Sequence, residues 1–235
     1  MLASIDLWEG ALALLLGLAA LVCLFDRHVL RAAWAFCVFA LLMTLAWAWL
    51  GAPWLAAAEL VLGVLLTGAS LFHALGAFEG RFSRFSFRDL SRLERAYPID
   101  TFRGPMSHRL TRALLTLAWC IMVGAVIRIV MPAMTYAPSE HPLMLVAVLL
   151  VGTAMGAFAL HRHRLRRLLA FNVLGAGVFL LMVGLAGTIE GAQALVAVGL
   201  LIAGLGSLAG ALLIRRLRAH EDDADDEHMA VGGGR

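Results

Sequence analysis

The chain has 235 residues, of which 62% are hydrophobic and only 15% are charged, whereas a soluble domain carries about 25% charged residues. The formal net charge is +3 and all basic residues are Arg, which excludes a retinal Schiff base and any lysine-dependent proton relay within this chain. The arginines lie between long apolar runs and do not form a nucleic-acid-binding surface. This pattern predicts an all-α polytopic membrane protein.

Seven apolar runs are long enough to cross the membrane, since a helix of about 20 residues spans roughly 30 Å of hydrocarbon. Lipid offers no partner to an unpaired backbone group, so each run is expected to be helical. The predicted spans are Leu7–Phe25, Val29–Leu50, Trp54–Phe78, Leu110–Met131, Leu143–Leu160, Leu168–Thr188 and Ala192–Ile214.

The connections between these spans alternate in charge. Arginines occupy the first, third and fifth connections and the C-terminal flank, and the third, Glu79–Arg109, holds seven of them. The second connection is uncharged, and the fourth and sixth contain only Glu140 and Glu190. The positive-inside rule therefore predicts an external N-terminus and a cytoplasmic C-terminus. We expect the protein to lie in the cytoplasmic (inner) membrane.

Within the third connection, Ser86 and Asp89 have the spacing of a capping box, and Pro98 would end the helix that follows. This predicts a short amphipathic helix on the membrane surface; the alternative is an irregular basic loop. The tail, residues 219–235, is acidic and then Gly-rich, and is predicted to be disordered.

Glu59 is the first functional candidate, because an ionisable residue inside a span is costly to bury. At helical spacing it heads a polar lane with Thr67, Ser70 and His73 that is suited to movement of a proton or another ion. In the alternative interpretation the two hydroxyls bond their own backbone and Glu59 makes one structural pair.

Two further polar residues lie within spans. Arg128, in the fourth span, is expected to snorkel to the interface, and the alternative is an ion pair with Glu59. Asn172, in the sixth span, is expected to form a hydrogen bond across helices. The glycines of the last span predict a tight packing seam; they are Gly199, Gly204, Gly206 and Gly210.

We expect no cofactor, no metal and no catalytic residue in this chain. The cysteines lie in apolar runs without CxxC spacing and are interpreted as buried hydrophobes; they are Cys23, Cys37 and Cys120. Four histidines lie near span ends, and only His73 is placed within a span, whereas a bis-histidine haem needs two imidazoles that face each other across a bundle.

Residues 8–78 contain Gly51-Ala-Pro-Trp-Leu-Ala-Ala-Ala-Glu59-Leu-Val-Leu-Gly63. This segment resembles the three-helix module of the D subunit of Mbh-type membrane hydrogenases, which also occurs in the large A subunit of Mrp-type sodium/proton antiporters. The usual pattern has Asp and Thr where this chain has Trp54 and Ala58, whereas Pro53 and Glu59 match. The resemblance implies a role for Glu59 in ion translocation.

Residues 143–218 contain Arg164-Leu-Arg-Arg-Leu-Leu-Ala-Phe-Asn172 and Ala192-Gln-Ala-Leu-Val196. They resemble the C subunit of Mrp antiporters, itself similar to the K subunit of respiratory complex I. The K-subunit glutamates are missing: Asn172 stands at the first position, and the last span has no carboxylate. The fourth span loosely resembles the single-helix E-type hydrogenase subunit.

These resemblances divide the chain into a D-like module (1–79), a connector with the fourth span (80–141), a C/K-like module (142–218) and the tail (219–235). They imply an accessory, non-redox subunit of a multi-subunit cation/proton antiporter or complex I-like assembly. Its partners would be other membrane subunits, lipid, and protons or Na⁺. The alternatives are a purely structural scaffold and the membrane arm of an energy-converting hydrogenase.

Overall fold

The computed structural model describes residues 2–26, 28–75, 106–130, 142–161, 163–186 and 190–232, and these residues are almost entirely helical. The amphipathic helix predicted around Ser86–Pro98 lies outside the described residues. In chain order the helical elements are α1 (Leu2–Phe25), α2 (Val29–Trp49), α3 (Pro53–Glu59), a π-helical segment (Leu60–Thr67), α4 (Gly68–Ala74), α5 (Met106–Val130), α6 (Pro142–Leu160), α7 (Arg164–Ala186) and α8 (Glu190–Gly232).

The prediction of an all-α polytopic membrane protein is confirmed. Among the described residues, six helices are long and apolar enough to cross a membrane, and they coincide with six of the predicted spans. The remaining predicted span, Leu110–Met131, falls on the 25-residue helix α5. Large apolar side chains remain exposed around the bundle, as expected where lipid takes the place of water.

The turn between α2 and α3 follows directly from its sequence. Gly51 adopts a φ of 74°, a left-handed conformation that glycine tolerates at little cost. The Ala52 amide donates to the Trp47 carbonyl at 3.0 Å and the Gly51 amide to the Ala48 carbonyl at 3.2 Å, which is a Schellman motif. Pro53 then starts α3, where its missing N–H costs nothing. The tight turn makes α2 and the third span antiparallel neighbours.

The helices close into a bundle in which chain neighbours pack side by side. Following the contacts around the bundle gives the order α1, α2, the third span (α3 to α4), α8, α7, α6 and back to α1, with α5 attached to α6. The third span therefore lies between α2 and α8, with α7 nearby. The N-terminal three spans therefore contact the C-terminal three helices where the third span packs on α8.

The tail differs from the expectation of disorder, because α8 continues through the acidic segment to Gly232. No proline interrupts this stretch, and Arg218 precedes Glu221 and Asp222 by three and four residues. Opposite charges at these spacings stabilise a helix by a few tenths of a kcal/mol per pair. Composition alone does not reveal this spacing of charges.

Candidate functional site

Glu59 is the last residue of α3 and is only 5% exposed, although it carries an ionisable side chain in an apolar span. The tight turn at Gly51 and the start of α3 at Pro53 place it almost two turns inside the helix. A buried charge of this kind is costly unless polar groups or water surround it. The groups around Glu59 therefore determine whether its side chain can carry a charge.

On the side facing α2, Glu59 lies over Gly63 and close to the indole of Trp47. A Cβ added at Gly63 would collide with the Glu59 carboxylate, and it would also lie 3.6 Å from the Ala40 Cβ. The Trp47 indole N–H is fully buried and interacts with the Glu59 side chain. Among the described residues, no acceptor lies in full hydrogen-bond geometry with that N–H. The indole is thus a polar neighbour that does not lock the carboxylate.

The backbone changes its register immediately after Glu59. Leu60–Thr67 is a π-helix, in which each amide bonds the carbonyl five residues earlier. Thr67 Oγ1 donates to the Leu62 carbonyl, also five residues earlier, at 2.8 Å. The hydroxyl therefore supports the π register at its C-terminal end. Such segments are rare, and many of them occur at functional sites.

On its other side Glu59 lines a cavity between the third span, α7 and α8. The cavity has a volume of about 30 Å³, which is enough for one water molecule or two, since one water needs about 10–15 Å³ by this measure. Its polar lining comes from Glu59, Thr67 and Asn172, and glycines leave the space open on each wall; these are Gly63, Gly175 and Gly204. The polar lining favours a hydrated cavity over a dry one.

Asn172 joins α7 to α8 beside this cavity. Ser207 Oγ, which is fully buried, donates to Asn172 Oδ1 at 2.7 Å, with the Ala203 carbonyl at 2.8 Å as an alternative acceptor. Asn172 Nδ2 donates to the Leu168 carbonyl at 2.8 Å. The amide thus makes the interhelical bond expected of it and also lines the space next to Glu59.

The C-terminal half of the predicted polar lane, Ser70 and His73, lines a second space, between α4 and α8. This groove has a volume of about 240 Å³ and is mainly apolar, with Ser70 and His73 as its polar members. Ser70 Oγ donates to the Thr67 carbonyl at 2.8 Å, and the His73 imidazole contacts the guanidinium of Arg215 on α8. The four lane residues therefore all face α8, but they border two spaces of different character.

Arg128 is not brought to Glu59. It is exposed on α5, which packs on α6, whereas Glu59 lies between α2, α7 and α8. Within the part of the chain that the structure describes, no ion pair joins the two residues. Exposure near the end of α5 agrees with a snorkelling side chain.

The arrangement places one buried carboxylate beside a cavity with room for a water molecule, and among the described residues no arginine forms an ion pair with it. A carboxylate in that setting is suited to exchange a proton or to bind a small cation. The role of Glu59, Thr67, Ser70 and His73 in ion movement stays a prediction.

Comparison with known proteins bears on the N-terminal part of the chain. Residues 14–79 match the MbhD family model, which describes the D subunit of MBH. The protein thus contains an MbhD-like module, which covers the larger part of the first predicted span, the next two spans and Glu59. No curated protein and no solved structure matches the chain. The resemblance of residues 143–218 to the antiporter C subunit stays a prediction.

Three residues of the site do not emerge from the sequence. Trp47 and Ser207 belong to no sequence motif, and Arg215 is one of several arginines in the C-terminal flank that indicate topology. Helical periodicity shows which residues share a face, but it does not show which helix that face meets. A serine in the middle of the Gly-rich last span is the one available signal for Ser207.

Proposed function

We propose that this protein is an accessory membrane subunit of a multi-subunit cation/proton antiporter or a related complex I-like ion-translocating assembly, with Glu59 as its exchanging site. The MbhD-like module supports a place in a hydrogenase- or antiporter-like membrane complex. The observation that carries the proposal is the buried Glu59 carboxylate beside a cavity of about 30 Å³ that Thr67 and Asn172 also line. An acid with room for water can load and release an ion, whereas an acid packed only against apolar groups cannot.

Neighbouring subunits must supply the rest of the route. One carboxylate cannot carry an ion across roughly 30 Å of hydrocarbon, and the chain has no lysine to form a relay with it. Thr67, Ser70 and His73 would extend the site toward the arginine-bearing end of the bundle. The ion is a proton or, alternatively, Na⁺, and the assembly would lie in the cytoplasmic membrane.

The test is antiport in membrane vesicles that contain the assembled complex with Glu59→Gln, which keeps the side-chain size but removes the charge. We expect transport to fall at least tenfold while the complex assembles normally, because the amide cannot exchange a proton. Glu9→Gln is the matched control, since Glu9 lies near the start of α1, away from the cavity. Full transport in an assembled Glu59→Gln complex would refute the proposed site.

A structural scaffold is the second candidate, and the Thr67 and Ser70 hydrogen bonds favour it. Both hydroxyls donate to carbonyls of their own helix, as side chains without a transport role also do. A scaffold predicts that Glu59→Gln leaves transport unchanged, while bulky residues in the α8 glycine seam prevent assembly.

The membrane arm of an energy-converting hydrogenase is the third candidate, since the matching family is described as a subunit of MBH. In that case redox centres would belong to partner subunits. Co-purification of iron–sulfur subunits with the tagged full chain would favour this function, and recovery of antiporter subunits alone would favour the first.

A further inference from the structure

The groove between α4 and α8 lies beyond the Glu59 cavity along the third span, and its walls differ from those of that cavity. Five of its seven lining residues are apolar; these are Leu66, Ala69, Leu208, Ala211 and Leu212. A space lined in this way does not retain water well. At about 240 Å³ it is also too large to be a packing defect.

The groove opens to the outside of the bundle. Ala69 and Leu212, on its two walls, are both exposed, whereas Ala211 and Ser70 at its base are buried. In a membrane this opening faces lipid, so acyl chains have direct access. The small side chains of Ala69 and Ala211 are what leave the space between the two helices.

One end of the groove carries positive charge. Arg215 follows Leu208 and Leu212 along the same face of α8, and its guanidinium contacts His73 at the end of α4. A guanidinium presents five N–H donors in a planar fork whose geometry matches a phosphate. Arginines also mark this end of the bundle as the cytoplasmic one.

We propose that this groove is a binding site for an anionic phospholipid, with one acyl chain between α4 and α8 and the phosphate at Arg215 and His73. The apolar lining suits an acyl chain, and the cation at the end of the groove suits an anionic head group.

The test measures which lipid stays with the protein. The full chain, purified with its co-purifying subunits, is equilibrated with equal amounts of phosphatidylglycerol and phosphatidylethanolamine, washed, and analysed by native mass spectrometry. We expect phosphatidylglycerol to be retained preferentially, and Arg215→Gln to lower its retention about fivefold. Arg216→Gln is the matched control, because Arg216 is the exposed neighbour with the same charge. It should change retention less than twofold.

A second pair of variants tests the apolar part without touching the charge. Ala69→Phe fills the groove from its open side and should lower phosphatidylglycerol retention as strongly as Arg215→Gln does. Leu65→Phe, at a residue 61% exposed on the preceding turn and outside the groove, should have no effect. This pair remains decisive if Arg215→Gln does not fold.

Three outcomes would overturn the proposal: equal retention of both lipids, equal effects of the two arginine variants, or an Ala69→Phe protein that retains phosphatidylglycerol normally. Efficient disulfide cross-linking of an Ala69→Cys variant to a partner subunit would also overturn it, since a protein would then occupy the groove. The inference does not depend on ion exchange at Glu59. Glu59→Gln should leave lipid retention unchanged, so the two proposals can fail separately.

Discussion

Gly63 determines where the Glu59 carboxylate can lie. The carboxylate occupies the space that a Cβ at residue 63 would fill, and it is the flexible end of its side chain that would have to move. A methyl group there would therefore displace the functional group at little cost to the fold. A substitution at Gly63 should therefore affect transport more than the free energy of unfolding.

We accordingly expect Gly63→Ala to leave the free energy of unfolding unchanged or to raise it by up to about 1 kcal/mol, as alanine favours helix over glycine, while transport falls several-fold. Gly206→Ala is the control, because a Cβ there meets nothing within 4 Å. It should have the same effect on stability and none on transport. Parallel thermal unfolding and vesicle assays of both variants provide the measurement, and unchanged transport in Gly63→Ala would contradict this placement of the carboxylate.

Trp47 offers a second test at the level of a single group. Trp47→Phe removes the indole N–H beside Glu59 and keeps an aromatic ring in the buried position. We expect transport to fall about fivefold, corresponding to the loss of roughly 1 kcal/mol of polar interaction. Trp49→Phe, on the same helix but 43% exposed, should leave transport unchanged. Equal effects of the two variants would show that the N–H has no special role.

At the level of elements, the π-helical segment is the feature that shapes the site. Glu59, Gly63 and Thr67 follow each other at steps of four residues and all line the same cavity. Thr67 ties the end of the segment to the Leu62 carbonyl. The wide register and the cavity therefore occur together along one stretch of the third span.

Replacing Thr67 tests whether its hydroxyl maintains this register. Thr67→Val keeps the shape and removes the hydrogen bond, so we expect a loss of about 1 kcal/mol in the free energy of unfolding, and Thr67→Ser should restore most of it. Thr44→Val is the matched control, since Thr44 donates to the carbonyl four residues earlier in the regular helix α2. Thermal unfolding in detergent should show the larger decrease in unfolding temperature for Thr67→Val. Equal decreases for the two variants would show that the Thr67 hydroxyl does not maintain the π register.

At the scale of the whole molecule, the spans are closely predictable from the sequence. The described bounds of α6, Pro142–Leu160, differ by one residue from those expected, because hydrocarbon thickness and flanking charges fix both ends. Glu59 is also predictable as a candidate site residue, because it is a single carboxylate in an apolar run. These features depend on the local chain alone.

The partners of Glu59 are not predictable in the same way. Asn172 and Ser207 belong to helices far along the chain, and the contact between His73 and Arg215 joins residues 142 positions apart. Seven spans of similar hydropathy can be arranged in many orders, and only packing of particular small residues selects one. The π register is equally invisible, because a stripe of polar residues is assigned on the spacing of a regular α-helix.

The cavity itself depends on how the two halves of the bundle meet. Gly204 on α8 contacts Leu62 and Leu66 of the third span: a Cβ there would lie 3.4 Å from the Leu62 Cβ. The glycine thus sets the distance between the N-terminal module and the C-terminal helices at the level of the Glu59 cavity. Gly206, two residues further, faces open space and provides a nearly ideal comparison.

We therefore expect Gly204→Leu to push α8 away from the third span, with an overpacking cost of about 1–3 kcal/mol in the free energy of unfolding and loss of transport. Gly206→Leu should project into the surrounding lipid, with little effect on either property. Thermal unfolding and transport of the assembled complex measure both. If Gly204→Leu were destabilised but still transported ions, the contact between the halves would serve only the fold. If the two variants behaved alike, the glycine seam would not define the site at all.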